Sequence, residues 1–301
     1  NAIMGALCSG VTGAIANNVA VPNGVVMVSP SATSPGLSAL KDKGYFFRTA
    51  PSDARQGEVM AAILKKRGIM EVAVTYTNND YGKGLADSLK KSYGAVGGKI
   101  SMVAAHEDGK ADYSAEVGAL AASGSKHLVV YGYLDQGGKG IIQASLDSGA
   151  FENFIVSDGM IGDSLIAAIG DDLNGTIGTL PGSDSKGASS FLDIAGKAGI
   201  KQGGPYTGES YDAGALIALA MQAAGSSDRA AIQSKIIAVG NAPGTKIMPG
   251  ELAKGLKILK DGGDIDYVGA SNVEFNDIGE VLGTYKELEV KGGKFETVKV
   301  H

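Results

Sequence analysis

The sequence predicts an α/β protein whose parallel sheets are wound by helices. Three observations carry that expectation. Short apolar runs of strand type recur at residues 25–28, 72–76, 100–104, 127–131, 154–156 and 176–180. Helix-like stretches separate them, and such alternation places successive strands in parallel in one sheet. Polar and aromatic residues gather just past several strand ends, the edge at which open α/β sheets bind ligands.

The elements follow in order. Residues 3–8 read as a strand running into an Ala-rich helix over 9–20, which Ser9 is placed to cap. Pro22-Asn23-Gly24 turns the chain into the strand ending at Ser29, and Ser29-Pro30-Ser31-Ala32-Thr33-Ser34-Pro35 follows. Residues 45–49 are extended. Ser52 then caps a helix whose Val59, Ala62, Ile63 and Leu64 share a face and which ends before Gly68. Strand 72–76, a turn over 78–82 and a helix to about Tyr93 come next, then strand 100–104, helix 114–122 and strand 127–131. Helix 138–147, strand 154–156, a short helix 165–169 and strand 176–180 complete the regular part. Beyond Pro181 the pattern changes. Helices are predicted at about 188–198, 207–224 and 228–238, short strands at 268–270 and 273–275, and a terminal hairpin of 282–290 and 295–300 around Gly292-Gly293.

Bulk properties narrow the class. The 301 residues suffice for two domains with a sizeable core. Hydrophobic residues are 44% and charged residues 20%, a globular balance, and 46 glycines imply many tight turns. A net charge of −5 argues against nucleic acid or an anionic membrane as partner. No apolar run is long enough to span a bilayer, and no flexible interdomain linker or internal repeat is visible. The chain opens inside what reads as a core strand, without a signal peptide, so residue 1 is read as a cut.

The 29–35 segment is the first candidate site. Pro30 and Pro35 remove two backbone donors, and the hydroxyls and amides between them can cradle a carboxylate without a full positive charge. An ordinary turn with a capping serine is the alternative. Ser9 at the neighbouring strand end adds a second hydroxyl and a helix start aimed at the same edge. Tyr81, Tyr133 and Asp158 each follow a strand end, so a parallel sheet brings them to one edge. Asp158 there can face an ammonium or cap a turn, and each tyrosine can line a ligand or simply sit half-buried.

Enzyme chemistry finds no support. The stretch 240–246 echoes a phosphate loop, but its Thr and Lys are reversed and Pro243 removes a needed amide. No G-x-S-x-G elbow occurs, and His106, His127 and His301 lack metal-ligand spacing. Neither a metal nor a cofactor is expected. Cys8, the single cysteine, reads either as a small buried apolar residue or as one half of a lost pair.

Seven short pieces, in order along the chain, resemble the type I periplasmic solute-binding proteins, closest to the leucine/isoleucine/valine-binding receptors of ABC transporters. They are LCSGVT at 7–12, SPSATSP at 29–35, YFFRTAPSD at 45–53, NDYGKG at 79–84, YGYLDQGG at 131–138, SDGM at 157–160 and GPYTGESYDA at 204–213. The resemblance implies two doubly wound parallel-sheet lobes: residues 1–50 with 182–278, and 51–181 with 279–301. It implies three crossings between them, near 49–52, 180–184 and 276–283, and a first βαβ unit of the amino-terminal lobe that is absent here. It implies that Ser9, Ser31 and Thr33 meet a ligand carboxylate, that Ala32 belongs to the ligand-binding loop with them, that the Ser31 carbonyl and Asp158 hold the ammonium, and that Tyr81, Tyr133 and Tyr211 wall the pocket. Asp158 stands where the closest relatives carry Glu, one methylene longer. Cys8 is implied to pair with a cysteine in the absent unit.

The function so implied is an exported, periplasmic, monomeric receptor that closes two lobes on an apolar, branched-chain-like amino acid, delivers it to membrane permease subunits and catalyses nothing. The runner-up is the same fold binding another small solute, an aromatic acid or amide. A small-molecule-modifying enzyme and a regulatory sensor domain stand behind both.

Overall fold

The computed structural model describes residues 1–200 and 204–301. The chain forms two compact units, Asn1–Ser52 with Gly182–Thr284, and Asp53–Pro181 with Tyr285–His301. It passes from one to the other after Ser52, Pro181 and Thr284.

The first unit holds a three-stranded parallel sheet in the order β1 (Ala2–Met4), β2 (Val26–Ser29), β3 (Phe46–Arg48). Every residue of β2 is buried, which is why it reads as an uninterrupted apolar run rather than an alternating one. Helix α1 (Ser9–Ile15) follows β1 and widens into a π turn over Ala16–Ala20. Helices α7 (Lys186–Lys197), α8 (Thr207–Ala224), α9 (Arg229–Gln233), α10 (Ile236–Gly240) and α11 (Leu252–Lys260) complete the unit. A two-stranded parallel pair, β9 (Thr245–Ile247) and β10 (Ile265–Tyr267), lies among them. Leu216 and Leu219 of α8 share one core with Val26, Val28 and Phe47. Asp212 is buried inside the unit and accepts from the Tyr267 hydroxyl (2.8 Å), the Ala270 and Ser271 amides (2.8 and 2.7 Å) and the Ser271 hydroxyl (2.6 Å).

Four expectations change here. The helix predicted over 228–238 is α9 and α10, separated at Ser234-Lys235. Residues 268–270 form a turn at Gly269 (φ 62°), and 273–275 contribute only a single bridge, Phe275 to Val281. The strands are upstream, at β9 and β10, where Lys246 and Asp266 interrupt the apolar pattern; the 240–246 stretch leads into β9. Helix α11 went unpredicted, although Leu252, Leu256 and Leu259 pack one apolar stripe on the core. Cys8 is exposed and a free thiol, not a buried apolar residue, because it stands just outside the helix that begins at Ser9.

The second unit is a seven-stranded sheet. Five strands are parallel: β4 (Glu71–Thr77), β5 (Lys99–His106), β6 (His127–Tyr131), β7 (Asn153–Val156) and β8 (Ile177–Pro181). A closing hairpin, β11 (Tyr285–Lys291) and β12 (Lys294–Val300), adds antiparallel to β8. The order is β12-β11-β8-β7-β6-β4-β5. Helices α2 (Asp53–Lys66), α3 (Asp80–Ala95), α4 (Ser114–Ala121), α5 (Lys139–Ser148) and α6 (Asp163–Ile169) connect them. Strands β4 and β6 are neighbours, and the connection after β4 runs to β5 on one side while that after β6 runs to β7 on the other. Such a reversal marks the carboxyl ends of β4 and β6 as the place where open α/β sheets bind ligands. Arg67, just past α2, bonds Glu287 and Glu289 of β11 at 2.6 and 2.7 Å and ties the hairpin to the helix layer. Among the described residues no helix is long and apolar enough to cross a membrane.

Candidate functional site

In the first unit the predicted residues Ser9, Ser31, Ala32 and Thr33 lie at the carboxyl ends of β1 and β2. Ser29 organises them. Its hydroxyl donates to the Ala6 carbonyl (2.7 Å) and accepts from the amides of Ala32 (3.1 Å) and Ser31 (3.5 Å). The Ser9 hydroxyl accepts from the Ser34 amide at 3.1 Å, and the Ser31 hydroxyl donates to the Leu7 carbonyl at 3.2 Å. Two expectations are thereby corrected. The amides of Ser31, Ala32 and Ser34 are engaged by serine hydroxyls rather than left open. Ser9 does not cap α1: Cys8 holds the cap position without a side-chain bond, and Ser9, already helical, turns its hydroxyl to the neighbouring loop. Having accepted from Ser34, that hydroxyl retains a proton to donate.

Behind this loop lies a residue that sequence reasoning passed over. Arg48 of β3 is fully buried, and its guanidinium bonds the carbonyls of Ala32 (3.2 Å) and Ser34 (3.0 Å), the Ser38 hydroxyl (2.9 Å) and Glu280 (2.6 Å). An arginine between Phe47 and Thr49 in an extended apolar run was the available signal, since a buried charge requires partners. Tyr211, in the same unit, is half-buried on α8. Its ring lies 5.6 Å from that of Phe191, and its hydroxyl accepts from the Gly250 amide at 3.1 Å. None of its described contacts is with the 29–34 loop.

In the second unit Tyr81, Tyr133 and Asp158 do converge. Asn79 turns β4 directly into α3 by accepting from the amides of Tyr81 and Gly82 at 3.0 and 3.1 Å. Gly82 is required there, because a Cβ would stand 2.3 Å from the Thr77 carbonyl oxygen. The tight turn aims Tyr81 across the edge toward β7. Its hydroxyl lies 3.1 Å from Asp158 Oδ1, 2.9 Å from Ser157 Oγ and 3.0 Å from the Gly159 amide. Tyr81 is 4% exposed, as is Asp158. Burial, reinforced by the charges of Asp158 and Asp53, pushes the Tyr81 phenol well above its ordinary range. It therefore keeps its proton, which it donates to Asp158 while accepting from Gly159. Gly159 has no substitute, since a Cβ would come within 2.5 Å of the Gly132 carbonyl and 2.7 Å of the Tyr81 hydroxyl. Tyr133, half-buried, stacks on Tyr81 with centroids 5.1 Å apart and planes at 15°. Ser157 was not foreseen, although it adjoins Asp158. Tyr131, at the end of β6, is buried beside these groups, and burial with the charges of Asp53 and Asp158 raises its phenol too. Each unit thus presents a polar cluster at strand ends: hydroxyls and a clamped loop in the first, an oriented carboxylate among tyrosines in the second.

The model of the receptor family ligand binding region matches residues 1–293. The Leu/Ile/Val-binding protein homolog 1 of Brucella melitensis is 32% identical over 232 residues, 75% of this chain and 61% of that protein. The chain thus spans about 61% of the length of that relative. Homolog 3 of the same organism is 30% identical over 297 residues, 94% of this chain and 77% of that protein. A leucine binding protein from Thermotoga maritima superposes with a TM-score of 0.81 at 23% identity, covering 99% of this chain and 79% of that one.

Proposed function

From the premise that the chain belongs to the receptor family ligand binding regions, and among them to the Leu/Ile/Val-binding proteins, we propose that it is the solute receptor of an ABC importer and takes an amino acid with an apolar side chain. The observation that carries this reading is Asp158, a buried carboxylate at a strand's carboxyl end, oriented by the Tyr81 hydroxyl at 3.1 Å. A carboxylate so held suits an ammonium. An amino acid brings an ammonium and a carboxylate a fixed short distance apart, and both must be matched once water is excluded.

In this reading the Ser9 hydroxyl and the Thr33 residue take the carboxylate, the Ser31 hydroxyl joins them by turning its proton from the Leu7 carbonyl to the solute, and Ala32 closes the loop behind. The Ser31 carbonyl helps Asp158 with the ammonium. Tyr133 and Tyr211 wall the side chain, and Tyr81 serves Asp158 as well as the wall. Binding brings both clusters onto one solute, the hinge-closure device by which two-lobed receptors report occupancy. Nothing is turned over. The receptor acts outside the cytoplasm, as a monomer, and hands its solute to membrane permease subunits. The test is mass spectrometry of small molecules released when the purified protein is denatured. Leucine, isoleucine or valine is expected; an aromatic acid lacking an amine in their place overturns the proposal.

A further inference from the structure

We propose that Arg48, countered by Glu280, is the positioning residue of the carboxylate loop: it sets the direction of the Thr33 amide and so lets the site tell a carboxylate from a carboxamide. This rests on the amino-acid reading above.

The geometry is specific. One guanidinium nitrogen, Nη1, donates to the carbonyls of both Ala32 (3.2 Å) and Ser34 (3.0 Å), the residues that bracket Thr33. In a trans peptide the N–H points opposite to the C=O. Drawing the Ala32 carbonyl onto Arg48 therefore directs the Thr33 amide away from the guanidinium. The second nitrogen, Nη2, is fixed by Ser38 Oγ (2.9 Å) and Glu280 Oε1 (2.6 Å), so the fork cannot turn.

Glu280 is itself immobilised. Its amide donates to Asn276 Oδ1 at 3.0 Å, and its carbonyl accepts from the Asn276 amide at 2.9 Å. The Arg48 amide bonds the Gly279 carbonyl at 3.0 Å. The Arg48 side chain is 0% exposed and that of Glu280 10%, so the pair is held away from water. A buried charge pair of this kind is a poor route to stability when apolar residues could fill the space. Its use is orientation. The guanidinium also sets a positive charge against the loop that Glu280 largely cancels, which leaves selectivity to directed donors. Lysine cannot reproduce the arrangement, because a single ammonium lacks the planar fork that serves two carbonyls, a hydroxyl and a carboxylate together.

The experiment is calorimetric titration of wild type, Arg48→Lys and Glu280→Gln with L-leucine and L-leucinamide, with melting of the ligand-free proteins alongside. Arg48→Lys is expected to weaken leucine about ten- to a hundredfold and leucinamide by less than about threefold, so the carboxylate preference collapses. Equal losses for both ligands, or no loss, overturn the assignment, because a merely structural arginine does not discriminate between them. Should Arg48→Lys fail to fold, Glu280→Gln decides: it retains an acceptor for Nη2 but removes the countercharge. The leucine-to-leucinamide preference should then rise at least about threefold as the uncompensated charge draws the carboxylate. An unchanged or lowered preference overturns the proposal. A wild type that binds neither ligand refutes the amino-acid reading and this inference with it. A wild type that binds leucine while both variants keep its preference refutes the Arg48 assignment alone.

Discussion

Tyr81→Phe separates two roles that the structure superposes on one residue. The substitution keeps the ring and its stack on Tyr133, at 5.1 Å, and deletes the hydroxyl. That hydroxyl makes three contacts, to Asp158, Ser157 and Gly159. A buried bond to a charged group is worth about 1.5–3 kcal/mol and a neutral one about 0.5–1.5 kcal/mol, so some relaxation leaves a stability loss of about 2–4 kcal/mol. Affinity should fall separately, since Asp158 loses the donor that aims it; about ten- to a hundredfold is expected for an amino acid. Urea unfolding of the ligand-free protein reads the first effect and titration calorimetry with leucine the second. A stability loss with unchanged affinity refutes the claim that Tyr81 orients Asp158. No change in either refutes the hydrogen-bond arrangement itself.

Two further outcomes follow from named contacts and a third from the proposed site. Asp212→Asn places an amide nitrogen among donors that now find carboxylate oxygens, so urea unfolding should show a loss of about 3–5 kcal/mol, and a loss below about 1 kcal/mol contradicts the buried network. His106 is buried with its Nδ1 2.8 Å from Thr75 Oγ1, and burial lowers its proton affinity below the ordinary 6.5 despite Asp108, Glu116 and Glu107. The unfolded chain then binds the proton more readily, so its stabilising contribution is present above 6.5 and is lost as pH falls through the lower folded-state value. Melting temperature should drop between about pH 7.5 and 5.5, and by less in His106→Gln; equal drops in both proteins exclude His106 as a source. Thr33→Ala should weaken leucine by about 1 kcal/mol, less than Asp158→Ala does, because it removes one neutral donor and leaves the backbone; a larger effect than Asp158→Ala, read by calorimetry, reverses the assigned weights.

The second unit was more legible than the first, and the reason is burial symmetry. Strands such as β6 and β7 are covered on both faces, so they stand out as apolar runs with turn residues at each end. Tyr81, Tyr133 and Asp158 follow strand ends directly, and the parallel register alone brings them to one edge. In the first unit β9 and β10 have three residues each, with Lys246 and Asp266 at their centres, so tertiary pairing overrides what local propensity suggests. The inner wiring of the 29–34 loop was not readable. Which amide a serine hydroxyl satisfies depends on where Ser9 and Ser29 stand in space, and they are 20 residues apart in the chain. The partner of Arg48 is more distant still, at Glu280, and no local pattern links the two.

The most direct measurement is titration calorimetry of L-leucine and its deaminated counterpart, 4-methylpentanoate, against wild type and Asp158→Ala. An ammonium matched by a buried carboxylate predicts that wild type binds leucine and not the deaminated acid. Removing one partner of such a pair should weaken leucine by about 2–5 kcal/mol, roughly thirty- to several-thousandfold. If 4-methylpentanoate binds as tightly as leucine, or if Asp158→Ala leaves leucine affinity unchanged, Asp158 does not read an ammonium and the amino-acid account is wrong.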